Sequence, residues 1–114
     1  MTRYSPGAVV IVHFPFTRLP SSKKRPAVVI SPTGYDLRYG DVVVMGLTSR
    51  PQPEPFLSLQ RWKMAGLLGP TWIKPTVFTL ADSLIERQIG NLDDADVFRI
   101  SQALALLLDN QYLR

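Results

Sequence analysis

Short apolar runs separated by turn residues fill most of the chain. After the turn signal Pro6-Gly7, Ala8–Phe14 is rich in Val, Ile and Phe and predicts a strand that ends at Phe14-Pro15-Phe16-Thr17. A polar, basic loop over 17–24 leads to a second strand, Arg25–Ser31. Pro26 fits at its start, because a residue without a backbone donor belongs at a strand's first positions or on an edge. Pro32-Thr33-Gly34 turns the chain, and Asp36–Gly40 continues the connection. Asp41–Ser49, with Val42-Val43-Val44 at its heart, predicts a third strand. Pro51, Pro53 and Pro55 mark a surface loop, and Phe56–Gln60 predicts a fourth strand. Arg61–Leu68 reads as a short helical turn stopped by Gly69-Pro70. Trp72–Thr79 reads as a strand that Pro75 confines to an edge or a bulge, and Ser83–Gly90 as one more.

The period then changes. Val97, Ile100, Leu104 and Leu107/Leu108 recur at helical spacing and predict one amphipathic helix over about residues 94–109. Asp93 stands at its N-cap, with Asp96 three residues on as an echo of a capping box. The apolar stripe has no second long helix to meet, so it is expected to cover a face of the sheet. Several short strands and one terminal helix predict a mainly β fold, a small barrel or strongly curved sheet, as one domain over residues 1–114.

Charge adds a direction to this picture. The net charge is +4, and residues 1–35 hold Arg3, Arg18, Lys23, Lys24 and Arg25 with no Asp or Glu. Such asymmetry suits a basic surface facing a polyanion. There is no cysteine, so disulfide and thiolate chemistry are excluded. His13 is the sole histidine, and no carboxylate spacing resembles a calcium loop, so no metal site is expected. His13 lies between Val12 and Phe14 in a strand and reads as a satisfied, partly buried side chain rather than half of a catalytic pair. The Ala8–Val12 run is too short for a signal peptide or a membrane span, and a cytoplasmic location is expected.

The candidate chemistry lies at two strand ends. Lys23-Lys24-Arg25 enters the second strand, where packed backbone can hold a guanidinium that still faces solvent. Thr48-Ser49-Arg50 leaves the third strand with hydroxyl donors and a further guanidinium. These are the parts needed to hold a phosphate and stabilise charge developing on it. A solvated basic loop and hydroxyls that satisfy strand-end backbone are the plainer uses of the same residues. Trp62, flanked by Arg61 and Lys63, and Trp72 have two uses open to them, stacking on bases or filling core.

Taken together, Gly7–Val12 with Phe14-Pro15-Phe16-Thr17, Lys24–Ser31 with its Arg-Pro-Ala-Val core, Leu47-Thr48-Ser49, Trp62–Leu67 with Pro70-Thr71, Ile89-Gly90-Asn91-Leu92 and the closing helix resemble the MazF/PemK toxins of toxin–antitoxin pairs, in their PemK-like branch. The resemblance covers nearly the whole chain. It implies an SH3-like small barrel with a C-terminal helix and a homodimer. It implies a metal-independent endoribonuclease acting on single-stranded RNA without a cofactor, neutralised by an antitoxin from a neighbouring reading frame. The family's catalytic arginine falls on Arg25 and its threonine on Thr48. Lys23, Lys24, Ser49, Arg50, Arg61, Trp62 and Lys74 are then expected to hold the RNA strand. Two positions depart from the pattern. Arg18 stands where many relatives carry an acid, and the Trp72–Thr79 strand, in which some carry a carboxylate, has none before Asp82. The second proton-transfer group is therefore unassigned, and a non-catalytic, protein-binding growth inhibitor of the gyrase-poison kind is the alternative reading of the same architecture.

Overall fold

The computed structural model describes residues 3–14 and 23–108. The strands are β1 (Ala8–His13), β2 (Lys24–Val29), β3 (Asp41–Thr48), β4 (Trp72–Ala81) and β5 (Ile85–Asn91). They form one sheet in the order β4-β3-β2-β1-β5, antiparallel throughout. Between β2 and β3 runs the short helix α1 (Tyr35–Tyr39), and α2 (Asp94–Leu107) closes the chain. The mainly β architecture with a C-terminal helix is the one expected. Most of the basic loop at 17–24 lies outside the described residues.

The unbroken apolar runs in β1, β2 and β3 follow from burial on both faces of the sheet. One face carries Val9, Val28, Met45 and Leu47, packed with Leu57, Ala65, Ile73, Ile100 and Ala103. The other carries Ala8, Val10, Val12, Ala27, Val29, Val42 and Val44, closed by Phe14, Leu80 and Ile85. Register shifts bend the sheet. Met45 faces Val77 but Gly46 faces Lys74, so Pro75 and Thr76 stand outside the regular β3–β4 pairing. This is the edge bulge that a proline in a strand requires. Two further shifts interrupt the β1–β5 ladder.

Three expectations are corrected. Phe56–Gln60 is no strand: Pro55–Leu57 is a 3-10 turn, followed by an isolated bridge from Ser58 to Trp72. Leu57 and Leu59 are buried in alternation, which imitates a strand's period, but Pro55 at the turn's start favours helical φ. The segment 36–40, read as plain connection, includes most of α1. That helix is five residues long, too short to show a period, and both its caps are left-handed glycines, Gly34 and Gly40. Finally, the apolar stripe of α2 stops early. Ile100 and Ala103 are buried, but Leu107 and Leu108 are 41% and 63% exposed, because the helix outlasts the surface it covers.

Asp93 caps α2 as expected, its Oδ1 accepting from Asp96 N at 2.9 Å. The Asp96 side chain turns elsewhere. It is fully buried, and its two oxygens accept from the backbone N–H groups of Gln60 (3.0 Å) and Arg61 (2.9 Å). One carboxylate thus ties the first turn of α2 to the root of the 61–70 loop.

Candidate nucleic-acid interface

β2 and β3 run antiparallel, with Ala27 opposite Gly46. The β2–β3 pairing stops there, and Arg25 and Thr48, two residues beyond it on each strand, both line the grooves described next. Arg25 is exposed, and among the described residues it makes no ion pair. Thr48 Oγ1 accepts from Arg50 N at 3.2 Å, so the plain strand-end use is real. Its hydroxyl proton stays available to donate outward.

Two grooves meet at this pair. The larger, about 760 Å³, is lined by Lys23, Lys24, Arg25, Thr48, Ser49, Arg50 and, from β5, Arg87 and Gln88, with Gly66–Thr71 as its far wall. The smaller, about 340 Å³, shares Arg25, Thr48 and Arg50 and adds Phe14, Gly46, Lys74, Thr76 and Phe78. No carboxylate is among the described residues that line either groove. Such a field favours phosphate groups and steers polyanions toward the site.

The far wall is set by two glycines. Gly66 has φ 86°, and a Cβ there would stand 2.2 Å from the carbonyl oxygen of Ile89. A Cβ at Gly90 would stand 2.3 Å from the carbonyl oxygen of Ala65. The loop therefore lies backbone against backbone on β5, an approach only glycine permits. Its tip carries Leu68, fully exposed beside the cations.

Seven of the nine expected site residues line these grooves: Lys23, Lys24, Arg25, Thr48, Ser49 and Arg50 the larger, and Lys74 the smaller. Arg61 and Trp62 do not. Arg61 pairs with Asp93 at 3.0 Å, and Trp62 packs against the core on the α2 side, as does Trp72. Arg87, Gln88, Thr76 and the two phenylalanines were missed. Glu86-Arg87-Gln88 is an unbroken polar run in a strand, and that signal marks an exposed edge facing something polar.

Among the described residues, Lys24 is the one groove cation with a strong partner, its Nζ donating to Glu86 Oε1 at 2.6 Å. That bond holds the Glu86 carboxyl below its ordinary value, and His13, its Nε2 3.6 Å from the same oxygen, adds in the same direction. Asp82, the first carboxylate after the Trp72–Thr79 stretch, is engaged by Arg3 and lines neither groove. Among the described residues no three His, Cys, Asp or Glu side chains gather where they could hold a metal ion.

The described residues thus form a bent antiparallel sheet backed by one long helix, with a basic groove across its strand ends that no described carboxylate lines. The chain belongs to the family of PemK-like, MazF-like toxins of type II toxin–antitoxin systems, whose sequence model matches residues 5–108. No curated protein matches it in sequence. Solved structures share its fold. An endoribonuclease in complex with its cognate antitoxin, from Mycobacterial species, is 18% identical, with a TM-score of 0.75 over 94% of this chain and 96% of that one. The Mycobacterium tuberculosis toxin MazF-mt6 is 17% identical, with a TM-score of 0.73 over 90% and 96%. MazF from Deinococcus radiodurans is 21% identical, with a TM-score of 0.74 over 96% and 99%.

Proposed function

We propose that this toxin is a metal-independent endoribonuclease that cuts single-stranded RNA at Arg25 and Thr48. The observation that carries the reading is that those two residues line one groove together with further cations and no carboxylate among the described residues. RNA brings its own nucleophile. The 2′-oxygen attacks phosphorus and loses its proton, the bond to O5′ breaks, and O5′ takes up a proton. The products are a 2′,3′-cyclic phosphate and a 5′-hydroxyl. Arg25 neutralises the non-bridging oxygens as charge builds on them, and Thr48 donates a hydrogen bond to one of them. A guanidinium keeps its proton at any physiological pH, so Arg25 acts electrostatically. Lys23, Lys24, Ser49, Arg50 and Arg87 hold the flanking backbone, with Lys74 on the other side of the cleaved bond.

The same charge field suits an acidic antitoxin segment, which would compete with RNA and weaken in salt. A homodimer, as the family resemblance implies, would widen the basic surface.

Incubating the protein with a long mixed-sequence RNA in EDTA, then mapping ends, tests the reading. Cleavage with cyclic-phosphate ends is expected. Arg25→Ala and Thr48→Ala should each lower the rate at least about tenfold, roughly 1.4 kcal/mol of transition-state stabilisation, with the melting temperature nearly unmoved. Ends bearing a 3′-hydroxyl, or full activity in both variants, would refute it.

A further inference from the structure

One cluster of titratable side chains at the rim of the larger groove holds two residues that RNA cleavage does not use. It spans three strands at one end of the sheet: Glu86 on β5, His13 on β1 and Lys24 on β2. β1 lies between the other two, and His13 is the cross-strand partner of Lys24. Glu86 owes its place to a break in the β1–β5 ladder. Ile11 pairs with Arg87 and Val12 with Ile85, so Glu86 stands outside the pairing, and such a bulge re-aims its side chain. Its Oε1 accepts from Lys24 Nζ at 2.6 Å and lies 3.6 Å from His13 Nε2. One carboxylate oxygen thus faces two nitrogens, and of the three residues Lys24 alone lines a groove. Arg87 also faces the cluster, its Nε 3.9 Å from Glu86 Oε2. Lys23 and Arg25 flank Lys24 along the chain, and the opposite wall, Gly66–Thr71, has no charged residue. Lysine and arginine ordinarily keep their charge between pH 5 and 8, and the Lys24 bond, with His13, holds the Glu86 carboxyl below its ordinary value. An imidazole is the side chain that ordinarily changes charge in that range.

We propose that RNA binding is coupled to proton uptake at His13: a phosphate takes Lys24 from Glu86, and the released carboxylate pairs with the imidazolium of His13. The Lys24 ammonium exchanges one anionic acceptor for another and keeps its protons. The proton that His13 gains comes from solvent. A carboxylate freed from Lys24 favours the charged imidazole beside it, and that pairing in turn keeps the carboxylate from reclaiming Lys24. RNA therefore binds more tightly as pH falls, and by reciprocity RNA raises the affinity of His13 for its proton by the same factor. His13 and Glu86 are positioning residues that act through Lys24. This inference rests on the reading of the larger groove as the track for the RNA backbone.

The test separates the two. His13 is the sole histidine, so its ring-proton NMR signals follow its titration without overlap from another imidazole. The titration is run on the free protein and with a non-cleavable, mixed-sequence 2′-O-methyl RNA, while the backbone amides of Thr48 and Ser49 report binding. RNA should raise the proton affinity of His13 about fivefold, and RNA affinity should rise by about the same factor between about pH 8 and pH 5. In Glu86→Gln and in Lys24→Gln the rise caused by RNA should fall below about twofold, and His13→Gln should bind RNA with no such dependence on pH. A proton affinity that RNA leaves unchanged, while the Thr48 and Ser49 amides move, overturns the coupling alone. A rise of full size in Glu86→Gln or Lys24→Gln overturns the handover of the carboxylate. No movement of the Thr48 and Ser49 amides overturns the RNA-binding reading as well.

Discussion

Asp96→Ala tests whether the groove wall depends on the buried tie between α2 and the 61–70 loop. Asp96 is fully buried and accepts two backbone N–H bonds, from Gln60 at 3.0 Å and Arg61 at 2.9 Å. Arg99, with Nη1 3.4 Å from Oδ1, adds an i,i+3 ion pair. Hydrogen bonds to a charged acceptor are worth about 1.5–3 kcal/mol each, and their loss leaves two N–H groups without a protein acceptor. Against this stands the relief of a buried carboxylate's desolvation, a cost of several kcal/mol that the native bonds already offset. The net expectation for alanine is a loss of roughly 2–4 kcal/mol, or on the order of 10 °C in melting temperature for a chain of this size. Asp96→Asn keeps one acceptor oxygen and should lose about half as much. Urea unfolding measures this as a lower midpoint at unchanged slope. The same variant should also weaken RNA binding, since the loop whose root it frees forms the far wall of the larger groove. A loss under about 0.5 kcal/mol for alanine, the scale of an ordinary surface change, would refute the reasoning.

The salt dependence of RNA affinity should follow a log–log slope of about −0.7 per phosphate contact. Lys23→Gln should flatten it by about that much and Lys24→Gln by less, because Lys24 is already paired with Glu86; equal effects would contradict that pairing. Glu86 has its pKa lowered from 4.5 chiefly by the Lys24 hydrogen bond. Its contribution to stability is therefore present above pH 4.5 and lost as pH falls through the depressed value, so the gap in melting temperature between wild type and Glu86→Gln should be present at pH 5 and shrink below 4.5. A gap that widens in acid would reverse the sign. Gly90→Ala should force the loop off β5, costing stability and RNA affinity together, because the obstructing atom is backbone that cannot swing aside; a neutral effect would show that the loop yields.

Local rules account for what was legible in the chain. Val, Ile and turn residues marked β1, β2 and β3, because unbroken β-branched runs between Gly and Pro have few other stable forms, while β4 and β5 were marked by looser alternation between turns. Pro75 announced its bulge, and Asp93 its helix, since a missing donor and a side-chain cap act within a few residues. Arg25 and Thr48 were legible as candidates because each sits at a strand end, where side chains emerge from packed backbone. Their neighbourhood was not legible. That Arg25 and Thr48 share a groove, that Arg87 and Gln88 join the larger one, and that Thr76 shares the smaller one with Phe14 and Phe78 all depend on sheet order and register. Arg61 and Trp62 carried the right composition for an interface, yet they face Asp93 and the core. Asp96 looked like part of a cap and proved to be a bridge to a loop more than thirty residues away. Periodicity encodes which face a side chain takes, but not what stands opposite. That was decided by the burial of two apolar layers on one bent sheet, which leaves a single register able to hide both.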